Sequence, residues 1–194
     1  MRARLVLPGL AVLAAAWAVG LASEERFFPF PTVFGNRVLV PTSLLAVTVG
    51  VLLLNHGLDR SRAPVESTAA RPVGRWDALW VAAAALASIG AGLTAALAGN
   101  PEGPVMARAT VAGLGGYLVA RLIIRTDLAA LAPLALLTAN TALWDVRTRP
   151  GSGPWLLAAP DDAAAWGVSV LVLVVGMGGL LTSRGWGVRP TGLP

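Results

Sequence analysis

The sequence predicts an all-α, polytopic integral membrane protein with six transmembrane helices and both termini on the cytoplasmic side. Three observations carry that expectation. The 194-residue chain is 56% hydrophobic and only 13% charged, where a soluble domain would be about a quarter charged. Its mean hydropathy is +0.70. Several runs approach the ~20 apolar residues that cross a bilayer. Every basic residue is Arg, and the Arg residues cluster at the ends of those runs.

Six runs are long enough, each bounded by charge, Pro or Gly: 5–22, 38–58, 79–98, 105–124, 128–144 and 163–182. Only a helix or a closed barrel satisfies its backbone in lipid. The alternation of barrel strands is not present. The whole chain, 1–194, reads as one transmembrane domain.

Orientation follows from the Arg residues. Arg2, Arg4, Arg60, Arg62, Arg71, Arg75, Arg121, Arg125, Arg184 and Arg189 fall on one side of such a topology. Arg26, Arg37, Arg147 and Arg149 fall on the other. The positive-inside bias puts the ten-Arg side in the cytoplasm. The net charge of +5 is thus accounted for by topology, and nucleic-acid binding is not expected. With no Cys, disulfides and thiolate metal sites are excluded. Residues 1–22 also resemble a signal peptide, with Arg2 and Arg4 ahead of an apolar stretch. That stretch is longer than an ordinary signal core, which favours an uncleaved first span.

Between the second and third runs, 59–77 reads DRSRAPVESTAARPVGRWD. It is either a solvated connector or a docking element, and 65–71 could form two helical turns. The outer loop 23–37 contains all four Phe residues, Phe27, Phe28, Phe30 and Phe34, and its Pro29 and Pro31 prevent a regular helix. Aromatic residues at the end of a span sit at headgroup level; a lid or lateral gate for a lipid-like substrate is the alternative. The outer loop 145–162 holds an apolar patch at 155–159 between Gly and Pro residues. It either dips back into the membrane or lies flat on its surface. Asp161 and Asp162 suit the positive end of the last helix.

Arg108 is the charge inside a span, and an ionisable group there marks a candidate functional site. It can snorkel to the interface or meet a buried partner, with Glu102 and Asp145 as candidates. Asn140, Asn55 and His56 are polar groups suited to interhelical hydrogen bonds. Ala83, Ala87, Ala91, Ala95 and Gly99 recur every four residues in the third run, with Ala112 and Gly116 similarly spaced in the fourth. Such spacing predicts close helix packing, within one chain or across a dimer, and Gly176, Gly178 and Gly179 could serve the last run alike. Pro41 and Pro133 are placed to kink the second and fifth.

Without Lys the chain cannot contain a phosphate-binding loop of the Gly-x4-Gly-Lys type. It has no His-Glu-x-x-His and no Gly-x-Ser-x-Gly either. No catalytic residue, metal site or cofactor is expected, and any nucleotide hydrolysis belongs to a partner.

The arrangement resembles the permeases of ABC-2-type exporters, particularly short actinobacterial ones. The segments that carry the resemblance are 59–77, 145–162, ARATVAGLGGYLVARLI at 107–123 and LAPLALL at 131–137. The resemblance implies a bacterial plasma-membrane subunit that pairs with a second permease chain, identical or not, and with a separate cytoplasmic ATPase. It implies docking of that ATPase against 59–77, through Arg60, Arg62, Arg71, Arg75 and Asp77, and export of an amphipathic peptide, lipid or secondary metabolite. Arg108, Asn140, Phe27 and Phe28 are the candidates for the substrate pathway. The chain is shorter than the family and has only four residues ahead of its first run, where the family carries an amphipathic helix. A non-transporting binding, immunity or assembly subunit is the first alternative. A lipid-modifying membrane enzyme built on Arg108, Glu102 and Asp145 is the second.

Overall fold

A computed structural model describes residues 3–23, 26–60, 73–124, 127–143 and 154–182. Six α-helices account for most of them: α1 (Ala3–Ala22), α2 (Thr42–Arg60), α3 (Val73–Leu97), α4 (Glu102–Ile124), α5 (Ala132–Ala142) and α6 (Ala163–Thr182). A two-stranded antiparallel hairpin, β1 (Phe27–Pro31) and β2 (Arg37–Pro41), joins α1 to α2. Short 3-10 turns at Asp127–Leu131 and Trp155–Leu157 precede α5 and α6.

Three helical stretches have the length and apolarity of membrane spans: Asp77–Leu97, Glu102–Ile124 and Ala163–Thr182. Leu7–Ala22, Thr42–Leu58 and Leu128–Ala142 are shorter apolar helices. The distribution of polarity agrees. Leu7 and Val19 on α1, Leu86 and Leu93 on α3, and Leu171 and Val174 on α6 all face outward, while Ser43, Thr48, Ser88, Thr110, Thr141 and Ser169 are buried. An exterior this apolar suits lipid as its solvent, since a water-soluble monomer rarely exposes so large an apolar surface. The buried hydroxyls of Thr48, Thr110, Thr141 and Ser169 donate to the carbonyl four residues earlier. They therefore enter the core without an unpaired group.

The helix ends explain the topology. Gly99, at φ +85°, terminates α3, and the N–H groups of Gly99 and Asn100 bond back to Ala96 and Ala95. The Asn100 side chain then accepts the Glu102 N–H at 2.9 Å, starting α4 with Pro101 between them. The chain thus reverses in a few residues, so α3 and α4 pack antiparallel. Asp162 caps α6 by accepting the N–H groups of Ala164 and Ala165 at 2.9 and 3.0 Å, the role its acidity suggested.

α4 is the centre of the bundle and packs against each of the other five helices. Glycine sets the separations. A Cβ on Gly115 would lie 2.5 Å from the Leu173 backbone nitrogen, and one on Gly176 would lie 2.6 Å from the Leu118 Cβ. Any side chain at Gly115 would force α4 and α6 apart. Between α3 and α4, Gly92 and Ala95 meet Gly103 and Ala107 in the same manner.

Several expectations require correction. The second run was expected to be helical from 38, but 37–41 is strand and α2 starts at Thr42. Periodicity cannot separate a short Val-Leu-Val strand from the first turn of a helix. The fifth run, expected over 128–144, is a 3-10 turn followed by a helix ending at Ala142. Pro41 and Pro133 kink nothing: Pro41 closes β2, and Pro133 sits in the first turn of α5, where no N–H is needed. The four-residue stripe on α3 is also phased differently. Ala83 and Ala87 face outward, and the buried stripe runs through Ala78, Val81, Ala85, Ser88, Gly92 and Ala95. A helix of uniformly small apolar residues has almost no amphipathic signal to mark its inner face.

Candidate functional site

Arg108 lies six residues into α4, about 9 Å from the helix start, and its side chain is fully buried. It does not snorkel. Its guanidinium donates to the backbone carbonyls of Ala159 (Nη1, 2.9 Å), Leu156 (Nη2, 3.1 Å) and Ala158. The acceptors come from the segment 154–160, which is folded back against the bundle. Pro154 and Ala158 are extended, with ψ of 141° and 160°; the turn they flank pairs the Pro154 carbonyl with the Leu157 N–H, and the Ala159 carbonyl also accepts the Asp162 N–H at 3.1 Å. A planar cation with five donors can serve three at once. Arg108 Nε has no hydrogen-bond partner among the described residues. Asp162, at the start of α6, is a carboxylate whose charge reaches the guanidinium.

Asn140 holds the same segment from α5. Its Oδ1 accepts the Leu156 N–H at 3.2 Å. The two polar groups of one residue's backbone are therefore taken by side chains from two helices. The Leu156 side chain is buried in a cluster with Val38, Val40, Leu44, Ala112 and Leu137. Trp166 adds a further tie by donating from its indole nitrogen to the Pro160 carbonyl at 3.0 Å. Of the two readings of 155–159, the segment packs into the bundle end. Glu102 is not the Arg108 partner; it accepts the Ser43 hydroxyl instead, joining α4 to α2. Asp145 lies outside the described residues.

Phe27 and Phe28 lie on the hairpin and are half-exposed, and Phe30 packs inward against the Leu156 cluster. The hairpin turn is closed by the Thr32 N–H to the Asn36 carbonyl and the Gly35 N–H to the Thr32 carbonyl, with Gly35 at φ +79°. Its tip is held by the Val33 N–H donating to the Ala142 carbonyl at 2.9 Å.

The opposite end of the bundle is built from side chains. Leu58, Asp77, Val81, Tyr117, Leu118, Arg121 and Leu180 line a small recess. Arg121 donates to the Tyr117 hydroxyl at 2.8 Å, and its guanidinium carbon lies 5.6 Å from the centre of the Tyr117 ring, within cation–π range. Asp77 is half-buried here. Asn55 is fully buried on α2, and neither of its amide atoms has a hydrogen-bond partner among the described residues. α2 and α4 run in the same direction with Val51 against Gly113, so Asn55, one turn further, sits at the depth of Tyr117.

Of the other docking candidates, Arg62 and Arg71 lie outside the described residues, as do the helical turns expected at 65–71. Arg60 ends α2 and Arg75 falls in the first turn of α3, with side chains outside the description. Among the described residues no three His, Asp or Glu side chains gather as a metal site. Sequence reasoning missed Ser43, and gave Tyr117 and Arg121 no role at the pocket. The i, i+4 spacing of Tyr117 and Arg121 was the available signal.

Compared with models of protein families, with curated proteins and with solved structures, the chain matches none.

Proposed function

We propose that the chain is the membrane-spanning permease subunit of an ABC-type exporter, with six spans across a bacterial plasma membrane and both termini inside. The observation that carries this reading is the segment between α5 and α6, which folds back into the bundle end and is held by Arg108 and Asn140. The resemblance to such permeases implies a last outer loop that re-enters the membrane, and a segment folded against the bundle end supports that reading. The core around α4 is filled by Met106, Val111, Leu114 and Leu118, all buried. A substrate pathway then runs between this chain and a second permease chain. In this orientation the pocket of Asp77, Tyr117 and Arg121 faces the cytoplasm, beside the loop where the ATPase docks. ATP-driven closure would tilt the helices and expel an amphipathic substrate.

The test is purification from the native membrane in mild detergent, with the co-purifying chains identified by mass spectrometry. The expected result is a stoichiometric partner carrying a phosphate-binding loop. In that complex, Arg71→Glu with Arg75→Glu should uncouple ATP hydrolysis from transport; unchanged coupling would remove the docking role of 59–77. The second reading is a binding or assembly subunit that moves nothing. It is favoured by the fully buried Arg108 being engaged by the chain's own carbonyls. An intact complex with no ATPase would select it.

A further inference from the structure

The hairpin has two chemically different faces. Opposed residues share a face, and the register pairs Phe27 with Pro41, Pro29 with Leu39 and Pro31 with Arg37. That set faces away from the helices. The alternate set, Phe28 with Val40 and Phe30 with Val38, lies on the other face, where Val38 and Val40 are buried, Phe30 is partly buried and Phe28 stays 54% exposed. The outward face is therefore apolar, with Leu39 60% exposed and the tip residues Val33 and Phe34 73% and 49% exposed. Arg26 and Arg37 flank it, both exposed.

We propose that this face is a lipid-docking surface, seated in the headgroup layer with Phe27, Leu39 and Phe34 toward the acyl chains and Arg26 and Arg37 on anionic headgroups. The inference rests on the membrane reading of the chain and is independent of transport.

Backbone chemistry selects lipid over another strand as the occupant. The N–H of Thr42 bonds to Arg26, and that of Thr32 bonds to Asn36. Ladder bonds in an antiparallel pair alternate, so they fall on the even-numbered pairs. The outward-directed amide positions are then Phe27, Pro29, Pro31, Arg37, Leu39 and Pro41, and three of these six are proline. Proline has no N–H to donate. On the β1 edge two of the three are proline, so that edge is a poor template for a further strand. On the β2 edge the N–H groups of Arg37 and Leu39 sit beside the Arg37 charge, which disfavours strand addition. Few donors are left to lose on nearing the hydrocarbon. The remaining open carbonyls still need water, which holds the hairpin at the interface and out of the bilayer core. Its posture is fixed: Val33 is tied to Ala142, Thr42 is tied to Arg26, and the inner face is packed on Leu44 and Leu156. A surface held this way can serve as an anchor.

The native chain has no Cys, so each introduced thiol is unique. Leu39→Cys and Phe34→Cys would carry a nitroxide on the face, Asp161→Cys would carry one in water at the same end, and Leu171→Cys one on the outer side of α6. The protein is reconstituted in phosphatidylethanolamine–phosphatidylglycerol vesicles, and relaxation by oxygen is compared with relaxation by a nickel chelate. The expected oxygen-to-nickel ratio is several-fold higher at 39 and 34 than at 161, and highest at 171. Omitting phosphatidylglycerol should lower it at 39, and Arg26→Gln with Arg37→Gln should abolish that dependence. A nickel-accessible hairpin with position 171 in lipid overturns the docking surface and leaves the membrane reading intact. Nickel access at 171 as well overturns both. Spin–spin broadening at 39 that disappears on dilution with unlabelled protein assigns the face to a second copy and overturns the proposal.

Discussion

The two ends of the bundle solve the burial of polar groups in opposite ways. At the hairpin end, side chains are matched to backbone: Arg108 to three carbonyls, Asn140 to the Leu156 N–H, and Asp162 to the first N–H groups of α6. At the other end, side chains are matched to side chains around a small recess, with Arg121 on Tyr117 and Asp77 on the same wall. Backbone carbonyls cannot rotate away from a donor, whereas long side chains exchange partners at little cost. The hairpin end is therefore expected to hold one arrangement more tightly than the Tyr117–Arg121 end.

The strongest way to break this contrast is Arg108→Ala. It strands the Leu156 and Ala158 carbonyls, while the Ala159 carbonyl keeps the Asp162 N–H, and the loss should be about 3–5 kcal/mol. Denaturation in mild detergent measures it. Hydrogen exchange should rise at 155–159 and stay unchanged at 117–121. A uniform rise along α4 would show that Arg108 supports the whole bundle and would erase the distinction between the ends. Asn140→Ala is the next step down. The Leu156 N–H loses its acceptor, which should cost about 1–3 kcal/mol, and Arg108 continues to hold the segment. Faster exchange should then be confined to the Leu156 amide. Tyr117→Phe is the smallest change. Removing one hydroxyl that accepts from Arg121 should cost about 1 kcal/mol and leave exchange at 155–159 untouched. Propagation to that segment would mean that α4 couples the two ends.

How much of this was legible varied with the kind of interaction. The last helix was read to its residue, 163–182, because charge and proline precede an unbroken apolar run. The role of Asp162 at its start was legible for the same local reason. The buried face of α3 was not, since Ala and Gly on every side give a helix no inner face to read. Arg108 and Asn140 were visible as anomalies within apolar runs, and their destination was not. Their partners are backbone groups of Leu156, Ala158 and Ala159, and a carbonyl carries no mark in the sequence to show which donor will reach it. The hairpin was hidden because Val38 to Val40 satisfy a helix and a strand equally well.

The sequence alone determined that this protein is suited to an apolar solvent, that it is mostly helical with α6 at 163–182, and that it carries no phosphate-binding loop. Each is a matter of composition or local spacing. The tertiary structure decided that α4 is central, that the segment before α6 folds inward, and that a buried arginine is satisfied by main chain. Those outcomes depend on how closely glycine lets two backbones approach, and contacts between residues some fifty positions apart leave no trace in local pattern.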